Sequence, residues 1–206
     1  LALSLSRDTL TLDVRTPGHP WQFAPSDGQD LVFEGISASL ASAASIAAEA
    51  FNTGCSNGMA VTFKDFSGLP GVELCITFRL FGPELVVDIA AREGGQTLLL
   101  LNWPKAVVLD NAPDTLSVIP RMQGMLVPGN WPQHIEAADL VNSRSFYMGW
   151  WGHIQGGAGV QVVLETPDDA GGSYKHPKGG PTAAAPRWYG SLGKLGYQRT
   201  VRYVFD

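Results

Sequence analysis

Residues 72–92 read Val72-Glu73-Leu74-Cys75-Ile76-Thr77-Phe78-Arg79-Leu80, then Phe81-Gly82-Pro83-Glu84, then Leu85-Val86-Val87-Asp88-Ile89-Ala90-Ala91-Arg92. In the first block Val72, Leu74, Ile76, Phe78 and Leu80 fall on one face and Glu73, Cys75, Thr77 and Arg79 on the other. Successive side chains of a strand point to opposite faces, so this period of two marks a half-buried strand. Gly82-Pro83 supplies a turn, and Leu85, Val87 and Ile89 resume the alternation. Gly94-Gly95 permits positive φ and predicts a second tight hairpin into Thr97–Leu101, an apolar run read as buried on both faces. The expectation is a three-stranded antiparallel meander, with Leu74, Ile76, Phe78, Leu85, Val87, Ile89, Leu99 and Leu101 in the core.

The same alternation recurs on either side. It runs through Leu10, Leu12 and Val14, through Met59, Val61 and Phe63, and through Val160, Val162 and Leu164. Glycine (24) and proline (14) punctuate the 206 residues so often that long helices have little room, since each costs stability inside a helix. The Ala- and Ser-rich stretch Ser37–Ala50 shows no 3.6-residue apolar stripe and is read as strand, loop, strand, with Ile46–Phe51 as the second strand. Glu136–Val141 is read as one short helix. The predicted fold is all-β, two packed and mostly antiparallel sheets with little helix.

Composition narrows the function. The net charge is −5 with no basic run, which argues against tracking a nucleic-acid backbone. The longest purely aliphatic run, Leu98–Leu101, is far short of a bilayer span, so no membrane partner is expected. Cys55 and Cys75 are too few for a disulfide scaffold and lack metal-ligand spacing. His19, His134, His153 and His176 lack it too, so neither metal nor cofactor is expected. No Gly-x-Ser-x-Gly elbow and no phosphate-cradling glycine loop before a helix occurs.

Chemistry-bearing residues gather in the second half, where twelve of the 24 glycines fall between Gly149 and Gly196. Phe146-Tyr147-Met148-Gly149-Trp150-Trp151-Gly152-His153 is an aromatic cluster of the kind that stacks on sugar faces, or equally one that fills a core or interface. Glu165-Thr166-Pro167-Asp168-Asp169-Ala170 follows a strand, and its paired acids suit sugar hydroxyls, Ca²⁺ or acid–base work; they also suit an ordinary Pro-led turn. A pair such as His153 with Glu165 could serve sugar ring opening.

Six segments together resemble one family. They are Ile119-Pro120-Arg121-Met122-Gln123-Gly124, Tyr147-Met148-Gly149-Trp150-Trp151-Gly152, Glu165–Ala170, Pro186-Arg187-Trp188, Ser191-Leu192-Gly193-Lys194-Leu195-Gly196-Tyr197 and Arg202-Tyr203-Val204-Phe205. They are similar to landmarks of the N-terminal β-supersandwich of large glycoside hydrolases related to endo-α-N-acetylgalactosaminidases, a domain similar in fold to galactose mutarotase. The resemblance is clearest over Met59–Asp206. It implies a single domain over residues 1–206, a segment of a longer polypeptide in which a catalytic (β/α)8 barrel follows and carries the catalytic carboxylates.

By motif position, the substrate-binding or domain-interface residues implied are Arg121, Trp150, Trp151, Asp168, Asp169 and Trp188. At least one of the three tryptophans is expected at the surface. Three functions stand open: a non-catalytic, carbohydrate-associated module packing on the barrel, a stand-alone mutarotase or epimerase, and a purely structural sandwich. Carbohydrate and the barrel are the expected partners, and low charge with abundant aromatics fits a secreted or periplasmic setting.

Overall fold

The computed structural model describes residues 1–121, 124–141 and 148–206. Two large antiparallel sheets form a sandwich. The nine-stranded sheet runs, in spatial order, Met125–Pro128, Leu116–Ile119, Trp150–Gln155, Ala158–Leu164, Arg199–Phe205, Glu84–Glu93, Leu69–Phe81, Asn57–Phe66, Ser45–Asn52. The six-stranded sheet runs Ile135–Leu140, Ala170–His176, Ala183–Tyr189, Leu98–Leu101, Leu31–Phe33, Ile36–Ala38. A three-stranded sheet of Ala2–Leu5, Leu12–Arg15 and Pro20–Gln22 completes the second layer. It leads into Phe23, and Trp21 and Phe23 pack on Phe205 and Tyr203 at 6.2 and 5.1 Å between ring centroids.

Alternation explains the core. Leu74, Ile76, Phe78, Leu85, Val87, Ile89 and Leu101 are all buried, in one apolar cluster that also holds Leu31, Phe33, Trp103 and Trp188 from the opposite side. Ser37–Ala50 resolves as strand, a 3-10 turn at Leu40–Ser42 and strand, with the Ser39 hydroxyl accepting from the Ala41 N–H.

Two expectations about the meander fail. After Gly94 and Gly95, both at positive φ, the chain leaves the sheet instead of closing a second hairpin. The free edge of Glu84–Glu93 is taken by Arg199–Phe205, more than a hundred residues later, and Leu98–Leu101 inserts between Leu31–Phe33 and Ala183–Tyr189. A register shift between Leu98 and Leu100 then breaks the alternation, so Leu98 and Leu101 are buried while Leu99 is 48% exposed. Such bulges turn side chains out of step with a regular strand.

The expected helix over Glu136–Val141 is instead the strand Ile135–Leu140, paired along its length with Ala170–His176. Sheet pairing overrides the helix preference of Ala137 and Ala138. Both cysteines are free. Cys75 lies opposite Thr62, and Cys55 sits beyond the far end of that strand, about 20 Å away at the rise of an extended chain, too far to bridge. Among the described residues, no helix is long and apolar enough to cross a membrane.

Candidate functional site

The residues implied by the motifs do not converge on one place. Phe146 and Tyr147 of the aromatic cluster lie outside the described residues. Strand Trp150–Gln155 points Trp151 and His153 inward and Trp150, Gly152 and Ile154 outward. Trp151 is 1% exposed and Trp188, inward from the opposite sheet, is 0% exposed, its Nε1–H donating to the Trp103 carbonyl at 2.9 Å. Their inward parity makes both of them core, with no ring face left for a sugar. Trp150 alone is half-buried, beside a groove of about 330 Å³ bordered by Val118, Ile154, Gly159, Gln161 and Val204. Arg121 is half-buried in the bend after Leu116–Ile119, its carbonyl accepting from the Gly124 N–H at 2.9 Å.

Asp168 and Asp169 are exposed in the turn between Ala158–Leu164 and Ala170–His176, with Asp169 at φ 52°. Beneath them lies a residue that the motif reading missed. Arg199 is fully buried; it donates to the Asp168 carbonyl at 2.6 Å and the Leu195 carbonyl at 2.7 Å, and Asp169 Oδ2 lies 3.8 Å from its Nη2. The Tyr197 ring covers the guanidinium at 3.8 Å, and its hydroxyl donates to the same Asp168 carbonyl. Charge-assisted bonds and a cation–π contact to this fully buried guanidinium lock the acidic turn to loop 190–198. At the tip of that loop Leu192 is 100% exposed at φ 51°. A sequence signal existed: Arg199 shares the inward parity of Val201, Tyr203 and Phe205.

A second concave surface, about 320 Å³, lies on the outer face of the six-stranded sheet. Its floor is Ala138, Ser173 and Ala185, which face one another across three strands. At one end Lys105 bridges Asp27 at 2.9 Å and the buried Asp30 at 2.6 Å. Burial raises the Asp27 pKa, but the hydrogen bonds from Lys105 and the Gln29 N–H, with the lysine charge, outweigh it and leave the carboxyl below its ordinary value. Beside them Arg187 Nε donates to Asn102 Oδ1 at 2.9 Å. At the other end Lys175 and His134 flank Glu136 at 4.0 and 3.3 Å. No group of three or more metal-binding side chains occurs among the described residues.

The structure separates His153 from Glu165. His153 is buried opposite Val160, and Glu165 lies on the far side of that strand, about 17 Å along it, exposed and bonded to Arg202. The ring is held by Ser117, whose hydroxyl lies 2.8 Å from Nδ1, and burial lowers its pKa to about 4. An unfolded histidine titrates near pH ~6.5, so on acidification the unfolded chain takes up the proton first. The stabilisation is complete above that pH and is lost as pH falls toward the folded value, a loss of about 3 kcal/mol across the window. Urea midpoints should therefore fall between neutral and mildly acidic pH, and His153→Leu should flatten that slope. An unchanged slope in the variant would contradict the assignment.

No protein-family model and no curated protein matches the sequence. Solved structures do. The chain is similar to alpha-N-acetylgalactosaminidase NagBb from Bifidobacterium bifidum in its GalNAc complex, with TM-score 0.90 and 26% identity over 99% of this chain and 34% of that one. The same enzyme in its Gal-NHAc-DNJ complex matches with TM-score 0.90 and 25% identity, over the same shares. The galactosidase domain of the alpha-galactosidase-sucrose kinase AgaSK matches with TM-score 0.54 at 7% identity over 100% of this chain and 42% of that one, a likeness of fold alone. The chain thus spans about a third of the length of the N-acetylgalactosaminidase chains it matches. The resemblance read from the sequence holds: this chain is similar to one part of a larger glycoside hydrolase.

Proposed function

We propose that this chain is a non-catalytic, carbohydrate-associated module of a glycoside hydrolase acting on α-linked N-acetylgalactosamine, and that it packs on a catalytic (β/α)8 barrel of the same polypeptide. The observation that carries this reading is the match of 99% of this chain to 34% of an α-N-acetylgalactosaminidase. The loop edge clamped by Arg199 is the part lent to the partner. A leucine fully in water and held in the left-handed region is costly on both counts. A rigid apolar tip of this kind is explained by insertion into an apolar recess of the barrel, with Asp168 and Asp169 hydrated at the rim. A mutarotase reading loses its acid–base pair, because His153 is buried and Glu165 is tied to Arg202.

The test uses the whole reading frame that encodes this segment. Its product is expected to hydrolyse an aryl α-N-acetylgalactosaminide. Leu192→Asp should lower the stability of that product while leaving the melting temperature of the 206-residue chain unchanged or slightly raised, since aspartate tolerates both water and the left-handed backbone better than leucine. A full-length product without glycosidase activity, or equal effects of Leu192→Asp on both proteins, would overturn the reading.

A further inference from the structure

The outer face of the six-stranded sheet carries three cross-strand rows: Glu136, Lys175, Ala183, then Ala138, Ser173, Ala185, then Leu140, Gly171, Arg187. The middle row has nothing longer than a hydroxymethyl group, so a concave floor lies between two functionalised ends. Alternate residues on a strand are about 7 Å apart, which separates the Lys175 and Arg187 rows by about 14 Å, more than one pyranose ring.

The ends differ in how their cations are paired, not in net charge. Lys105 stands between two carboxylates, Asp27 and the buried Asp30, and Lys175 lies beside Glu136. Arg187 makes no ion pair among the described residues. It is half-buried, and its Nε is pinned by Asn102, whose own amide nitrogen donates to the Gln29 carbonyl at 2.6 Å. That chain fixes the guanidinium plane and leaves the two terminal nitrogens for a ligand. A planar, preorganised fork of this kind matches a carboxylate bidentately.

We infer that this trough is a binding site for a short acidic oligosaccharide, with a sugar carboxylate on Arg187, a ring lying on Ala138, Ser173 and Ala185, and hydroxyls of a further sugar reaching Lys175 and Glu136. The inference rests on the carbohydrate-associated reading above and gives that reading a ligand class and a place. The groove beside Trp150 has Asp206 in its lining but no lysine or arginine to meet a carboxylate.

Sialyllactose and lactose, titrated into the 206-residue chain at low salt and followed by amide NMR, decide it. Sialyllactose should bind at least about tenfold more tightly than lactose, with shifts at Ser173 and Ala185. Arg187→Gln should erase the difference between the two sugars, and Arg187→Lys should restore only part of it. Ser173→Tyr, which fills the floor from its exposed side, should weaken both and serves if Arg187→Gln disturbs Asn102. Equal binding of the two sugars, a preference that survives Arg187→Gln, or no binding of either would overturn the inference. None of these outcomes touches the Leu192 measurement, so the site can fail while the module reading stands.

Discussion

Truncating Phe78 to alanine is expected to lower the unfolding free energy by about 3–5 kcal/mol. Phe78 has no solvent exposure and sits in Leu69–Phe81, the longest strand of the nine-stranded sheet. Its cross-strand neighbours are Met59 on one side and Val87 on the other. Across the sandwich its ring meets Trp103 edge to face at 5.8 Å. The truncation removes apolar burial and an aromatic pair worth about 0.5–1.5 kcal/mol, and leaves a cavity that three paired strands cannot collapse. Urea denaturation followed by tryptophan fluorescence reads the change as a lower midpoint at unchanged slope. A loss below about 1 kcal/mol would mean that Phe78 does not lie at the centre of the core.

Asp30→Ala should cost about as much for a different reason. The carboxylate is fully buried and is the hub of its corner. It accepts from the Leu40 N–H at 2.9 Å, the Asp27 N–H at 3.2 Å and the Ser26 hydroxyl, and it bridges to Lys105. Alanine leaves the Leu40 N–H orphaned and strips the largely buried Lys105 ammonium of one of its two counter-charges. Removing one partner of a buried pair costs about 3–5 kcal/mol. Asp30→Asn retains an acceptor, so a smaller loss is expected. Equal losses for the two variants in the same denaturation experiment would show that charge, not hydrogen bonding, holds the corner.

The core was legible because each residue of an alternating strand states its own side. That is why Leu74, Ile76, Phe78, Leu85, Val87 and Ile89 are buried as expected, and why Trp150 and Trp151 part to opposite faces. What escaped the sequence is non-local. Nothing near Gly94 says that a strand starting at Arg199 competes for the edge of Glu84–Glu93, so the expected meander ends one strand early. The bulge that turns Leu99 outward depends on Phe33 and Val32, far upstream. The helix expected at Glu136–Val141 lost to pairing with a strand thirty residues on.

The candidate sites show the same division. Asp168 and Asp169 were visible as acids after a strand, but the Arg199 clamp that shapes their turn comes from a later segment. The motif implies Trp188 only as a substrate-binding or domain-interface residue; its inward parity with Ala184 and Pro186 places it in the core. Arg187, next to it in the same motif, takes its meaning from Asn102 on another strand end.

The most direct measurement is hydrolysis of an aryl α-N-acetylgalactosaminide by the purified 206-residue chain. Cleavage needs two carboxyls flanking the bond, about 5–5.5 Å apart for retention or about 6.5–9.5 Å for inversion. Asp168 and Asp169 share one turn, and Asp169 is drawn toward Arg199. The predicted result is no turnover above the uncatalysed rate, for the native chain and for Asp168→Asn alike. Turnover by the native chain that Asp168→Asn abolishes would contradict the account and make this segment an enzyme in its own right.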